Sequence, residues 1–215
     1  MKKLRVLILA AAILLTACGD KKTNTGATAE STSPSVGTSE VSGSIQAYSA
    51  AEKVSTPAAS VYGNNTSSSY VNNFFNLQLV LPDGFEVVES GEGVFIARES
   101  KNGIKSGAVI EIIVSSLDYY SGTDEVSVDY IVSSLEEDYK KELASAKNAE
   151  ISVEKGSINF IGNQTRSVNV HAAKDGVVTD SITAVLIKDG YFMLITAAAE
   201  SAASAKYLEH FTAIN

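Results

Sequence analysis

A metal site or catalytic triad built on cysteine or histidine has little to draw on among these 215 residues. The only cysteine is Cys18, and the only histidines are His171 and His210. A single thiol builds neither a disulfide nor a cysteine zinc cluster. A Ser/His/Asp relay would have to centre on His171, and no Gly-x-Ser-x-Gly turn presents a serine to it. His210 falls near the end of a helical segment, where a histidine suits the free C-terminal carbonyls. Asp118, Asp124, Glu125 and Asp129 surround Ser121-Gly122-Thr123. Oxygen-rich turns can take calcium, but these carboxylates and the glycine miss the EF-hand positions, so helix capping accounts for them more simply. Gly91-Glu92-Gly93 lacks the third glycine and the following helix of a dinucleotide loop. What remains is a hydrogen-bonding set, Ser167, Asn169, His171 and Ser181, expected to line a ligand pocket on the polar face of a sheet. No catalytic residue, metal or cofactor is expected.

Cys18 ends the run Leu14-Leu15-Thr16-Ala17-Cys18, which resembles the lipobox of bacterial lipoproteins. Lys2, Lys3 and Arg5 form a basic start, and an apolar stretch follows to Leu15. That stretch is too short to span a bilayer, which takes roughly 20 residues. The resemblance implies a signal peptide over residues 1–17, cleavage between Ala17 and Cys18, and acylation of the Cys18 thiol, including palmitate-type chains. The protein would then be held by lipid to the extracytoplasmic side of a bacterial cell membrane.

The chain has 17 basic and 25 acidic residues, a formal charge of −8. Removing Lys2, Lys3 and Arg5 leaves 14 against 25, or −11. Such a charge opposes binding to nucleic acid and to anionic lipid surfaces, so lipid on Cys18 is the expected membrane contact. Residues 18–69 then read as a lipidated tether rich in Ser, Thr, Ala and Gly, with too little apolar surface to offset its ordering entropy. A flexible chain of about 50 residues reaches roughly 40 Å. Within it, residues 44–54 place Ile45, Tyr48, Ala51 and Val54 at helical spacing, too short a stretch to hold as a helix alone.

Residues 70–215 must supply the scaffold. Phe75 to Leu81 alternates with period 2 until Pro82-Asp83-Gly84, and residues 85–88, 94–97 and 109–115 are further apolar, β-branched runs. Residues 123–146 change period: Val128, Ile131, Leu135, Tyr139, Leu143 and Ala146 fall on one stripe, with Thr123 or Asp124 as the cap. Lys174-Asp175-Gly176 and Lys188-Asp189-Gly190 mark hairpins. Three-residue loops would pair Ala173 with Val177 and Ile187 with Tyr191. They would place Val168, Ile182, Ala184, Leu186, Phe192 and Leu194 on one face, and Ser167, Asn169, His171, Thr179, Ser181 and Thr183 on the other. Asp180 would point away from His171. Residues 201–211 close the chain as a second helix. Strands with packed helices in this order make an α+β domain, mostly antiparallel.

The elements Leu77-Gln78-Leu79-Val80-Leu81-Pro82-Asp83-Gly84-Phe85, the mid-domain helix, Ile161-Gly162, and the run Gly190 to Ala197 before the last helix resemble the PsbP/Mog1-like α/β/α sandwich. Phe85 stands where that family usually has Trp. The resemblance implies an interaction domain, so the chain reads as a lipid-anchored binding or accessory module with no activity of its own, facing an envelope protein or glycan. A small-molecule or metal sensor using the polar sheet face is the alternative. Tyr119, Tyr120 and Tyr130 either cover the end of the core or serve as contact residues.

Overall fold

The computed structural model describes residues 60–101, 104–120, 126–146, 148–200 and 203–214. The leader 1–17, Cys18, the 44–54 patch, Thr123, Asp124 and Glu125 lie outside the described residues. The architecture is α+β and mostly antiparallel. A seven-stranded sheet has the order β4 (Phe85–Gly91), β5 (Val94–Lys101), β6 (Ile104–Ser116), β10 (Tyr191–Glu200), β9 (Val177–Lys188), β8 (Asn163–Lys174), β7 (Glu150–Phe160). A second sheet has the order β1 (Asn64–Asn65), β2 (Ser69–Asn72), β3 (Leu77–Val80), β11 (Phe211–Ala213). The helices are α1 (Val128–Leu143) and α2 (Ser204–Leu208). No described helix is long and apolar enough to cross a membrane.

Alternation along the strands gives the large sheet two apolar faces and hence two cores. One face packs Ile113, Val168, Val170, Val185, Phe192 and Leu194 against the α1 stripe of Ile131, Val132, Leu135, Tyr139 and Leu143. The other packs Phe95, Ile112, Met193 and Ile195 against Tyr70, Leu77 and Leu79 of the small sheet, with Leu208 and Phe211. The small sheet and α2 form the layer opposite α1.

Among the described residues, some ahead of Tyr70, the expected start of the globular part, already contact the sheet. Asn64 pairs with Val71, and the Tyr70 hydroxyl donates to the Tyr62 carbonyl at 2.9 Å. Asn72, fully buried, donates to the Val61 carbonyl and the Tyr70 hydroxyl and accepts from the Phe75 amide. This side chain thus joins the first described residues to the sheet.

α1 starts later than expected: the cap is Ser127, whose hydroxyl accepts from the Tyr130 amide at 3.2 Å. On its outer face Glu136 takes Lys140 at 2.7 Å and Lys155 of β7 at 3.3 Å. The helix expected over residues 201–211 is only α2, because the chain turns at Glu209 and His210 and sends Phe211 into register with Leu79. His210 is therefore a turn residue whose carbonyl accepts from Val80 at 3.4 Å.

The hairpins differ from expectation in a way that reorders the sheet. Asp175 and Gly176 have φ of 52° and 82°, Asp189 and Gly190 have 44° and 82°, and Ile161 and Gly162 have 49° and 76°. Two consecutive positive φ values are the signature of the two-residue type I′ turn. Lys174 accordingly pairs with Val177, and Lys188 with Tyr191. Relative to a three-residue loop the register moves by one, and β9 turns over. Ile182, Ala184 and Leu186 share the face of Ser167, Asn169 and His171, while Ser181 and Thr183 face α1.

Candidate functional site

The turned β9 makes the site. Ser152, His171 and Asp180 stand side by side across β7, β8 and β9, and Glu154, Asn169 and Ile182 form the next row on the same face. The ends of directly opposed side chains are within contact range. Asp180 therefore meets His171, with Nδ1 2.7 Å from the carboxylate Oδ1. Asp180 is a correction to the expectation that it points away, and its cause is the Asp175–Gly176 turn. A carboxylate on Nδ1 fixes the imidazole orientation and leaves Nε2 for other contacts.

A cavity of about 290 Å³ opens over these rows, bounded by Ser152, Glu154, Asn169, His171, Asp180 and Ile182, with Ser204 and Ala205 of α2 at its side. His171 is 48% exposed and Asp180 21%, so the pair borders solvent. Asn169 is held from behind, where the buried Ser167 hydroxyl donates to its Oδ1 at 3.1 Å. This leaves its Nδ2 over Gly156 of β7: a Cβ there would sit 2.7 Å from Nδ2. Gly156 thus gives the amide room to lie across the neighbouring strand.

Of the four expected ligand residues, Asn169 and His171 line the cavity and Ser167 supports Asn169. Ser181 also borders the cavity, through its place on β9, while its side chain is on the α1 face. Asp180, Ser152, Glu154 and Ser204 were not anticipated. The signal for the first was the Asp-Gly dipeptide read as a two-residue loop; Ser204 comes from a distant segment that no local pattern links to β8.

Among the described residues no serine hydroxyl hydrogen-bonds His171, and no group of three or more His, Cys, Asp or Glu converges to hold a metal. Of the acidic residues considered for calcium, Asp129, in the first turn of α1, pairs with Arg166 at 2.7 Å. The tyrosines close the end of the core: Tyr120 lies against Phe192 at 5.5 Å and edge-on to Tyr119 and Tyr130 at 5.1 and 5.6 Å. Burial raises the Tyr120 hydroxyl pKa well above the ordinary tyrosine range, with nearby Tyr119, Asp138 and Tyr130 adding to it.

No family model matches the chain, and no curated protein matches it. Among solved structures it is similar to cyanobacterial PsbP from Synechocystis, with 13% identity and a TM-score of 0.45 over 69% of this chain and 94% of that one. It is similar to LpqN of Mycobacterium tuberculosis, described as involved in cell envelope biogenesis, at 13% identity and 0.42 over 69% and 85%. The Saccharomyces cerevisiae Ran-binding protein Mog1p gives 10% and 0.39 over 71% and 97%. At these scores the likeness is one of outline, and what those proteins bind stays with them.

Proposed function

We propose that this protein is a lipid-anchored, extracytoplasmic binding module whose cleft over β7, β8 and β9 takes a small polyhydroxylated ligand, a saccharide or glycan fragment, without chemical conversion. The cleft carries this reading. Its walls alternate donors and acceptors: the Asn169 amide, the outward imidazole nitrogen of His171, the carboxylates of Asp180 and Glu154, and the Ser152 hydroxyl. A sugar hydroxyl both donates and accepts, so such a mixed set suits it better than a run of one charge would. The absence of a serine bonded to His171 among the described residues favours binding over acyl transfer, which needs nucleophile and base in contact. Anchoring through Cys18 and export rest on the sequence of residues 1–18.

The test of the site is a thermal-shift and calorimetry series with mono- and disaccharides on the full-length chain. A ligand at 100 times its Kd should stabilise the fold by about 2.7 kcal/mol, and His171→Ala should abolish the shift. A shift that survives intact in His171→Ala, or no shift with any sugar, overturns the reading. The test of anchoring is partition into detergent: the wild type should enter the detergent phase and Cys18→Ser the aqueous phase, and equal partition refutes it.

A further inference from the structure

On the other side of the same sheet a carboxyl is buried with no partner for one of its oxygens. Glu111, in the middle of β6, is 2% exposed, and its Oε1 has no hydrogen bond. Its register neighbours form a row across five strands: Glu89 of β4, Ile96 of β5, Glu111, Thr196 of β10 and Thr183 of β9. The Thr196 and Thr183 hydroxyls are 3.0 Å apart, and the Tyr139 hydroxyl of α1 is 3.1 Å from Thr183. Tyr139 is thus the polar tip in the buried stripe of α1, and it docks into this row beside Glu111.

We propose that Glu111 is a proton-operated latch for α1: with the carboxyl neutral the helix closes over the hydroxyl row, and loss of the proton to water frees the Tyr139 end of the helix from the sheet. An ionised carboxylate with an empty coordination site cannot stay in an apolar enclosure without large cost. No surrounding group bonds its Oε1. From β4 it faces Glu89, a like charge. From β5 it has Arg98 diagonally across, which forms no ion pair with it and whose own Nε is buried without a partner. From α1 come Tyr139 and, beyond it, Glu142, itself raised by burial and then by Asp138. From β10 and β9 come only the two threonines. Burial first, and Glu89 second, push the Glu111 pKa up to about 8, so the change of charge falls within the range a cell envelope meets.

The experiment is amide hydrogen exchange on the full-length chain from pH 5 to 9, corrected for the intrinsic pH dependence of exchange. An opening coupled to one carboxyl should lower the protection of α1 amides about tenfold per pH unit up to about pH 8 and then level off. In Glu111→Gln the corrected protection of α1 should be flat. The same slope in Glu111→Gln, or no slope in the wild type, overturns the latch; so does an opening free energy of α1 equal to that of β2 and β3 at every pH, which would mean that α1 exchanges only through global unfolding. Should Glu111→Gln fail to fold, the wild type alone decides through the infrared carbonyl band of a protonated carboxyl. The band should be present at pH 6 and lost through pH 8, and its absence at pH 6 refutes the proposal.

Discussion

Glu111 also sets an expectation for the stability of the whole domain, with a sign opposite to that of most acidic groups. Its carboxyl moves from the ordinary 4.5 to about 8 in the fold. The folded state therefore holds this proton more tightly than the unfolded chain does. Its stabilising contribution is complete below about pH 4.5 and is lost as the pH rises to about 8, beyond which nothing more is lost. Each pH unit in that window removes about 1.4 kcal/mol, so the full loss is about 5 kcal/mol, and about 3 kcal/mol of it has gone by pH 7. Set against the 5 to 15 kcal/mol typical of a domain, this is a large fraction of the total. Glu111→Gln keeps the shape and removes the titration. Urea unfolding followed by tyrosine fluorescence, since the chain has no tryptophan, should show the wild type falling relative to the variant by about 1.4 kcal/mol per unit between pH 5 and 8. The comparison is of slopes, because the added amide brings two donors of its own to satisfy. Two parallel curves over that range would show that Glu111 is ionised in the folded protein and would refute the reasoning.

Other outcomes follow from single contacts. Gly93→Ala should cost more than about 2 kcal/mol in urea unfolding, because a Cβ at φ 79° would lie 2.6 Å from the Val114 carbonyl oxygen. Gly176→Ala, at φ 82° with nothing within 4 Å, should show only the backbone strain of about 1 to 2 kcal/mol. Gly156→Ala should displace the Asn169 amide and weaken saccharide binding while the melting temperature of the free protein moves little, a separation visible by running calorimetry and thermal unfolding on the same sample. Asp180→Asn should change stability by less than about 1 kcal/mol, since its partner is half exposed, yet lower ligand affinity by releasing the imidazole; unchanged affinity would remove His171 from the site.

How much of this was legible beforehand varies with the range of the interaction. The α1 stripe could be read because a 3.6 period over many residues reports a single buried face, and all of Ile131, Leu135, Tyr139 and Leu143 are buried. The cap could not be read as well: Thr123, Asp124 and Ser127 are all good capping types within one turn of each other. The final helix was overextended because Tyr207, Leu208 and Phe211 fit a helical stripe, while the competing claim on Phe211, a place beside Leu79 of β3, comes from the far end of the chain.

The β9 register shows why hydrophobic sorting misled where turn chemistry would not have. With three-residue loops Ile182, Ala184 and Leu186 join Val168 and Phe192, an apolar face that looks consistent. The two loops shift β9 against β8 and then β10 against β9 by equal amounts, so both shifts cancel between β8 and β10, and Val168, Phe192 and Leu194 share a face in either register. Nothing in the outer strands could expose the error. The polar residues decide it. In the observed register Thr183 enters the α1 core, where its hydroxyl meets those of Tyr139 and Thr196, and Asp180 comes to His171. A buried hydroxyl is tolerable once it is bonded, and both partners lie far from Thr183 in sequence. The one local sign was Asp-Gly, repeated at residues 175–176 and 189–190: both dipeptides adopt the positive φ pair that the type I′ turn requires. The cleft over β7, β8 and β9 on one face and the place of Thr183 in the Glu111 row on the other both follow from those two turns.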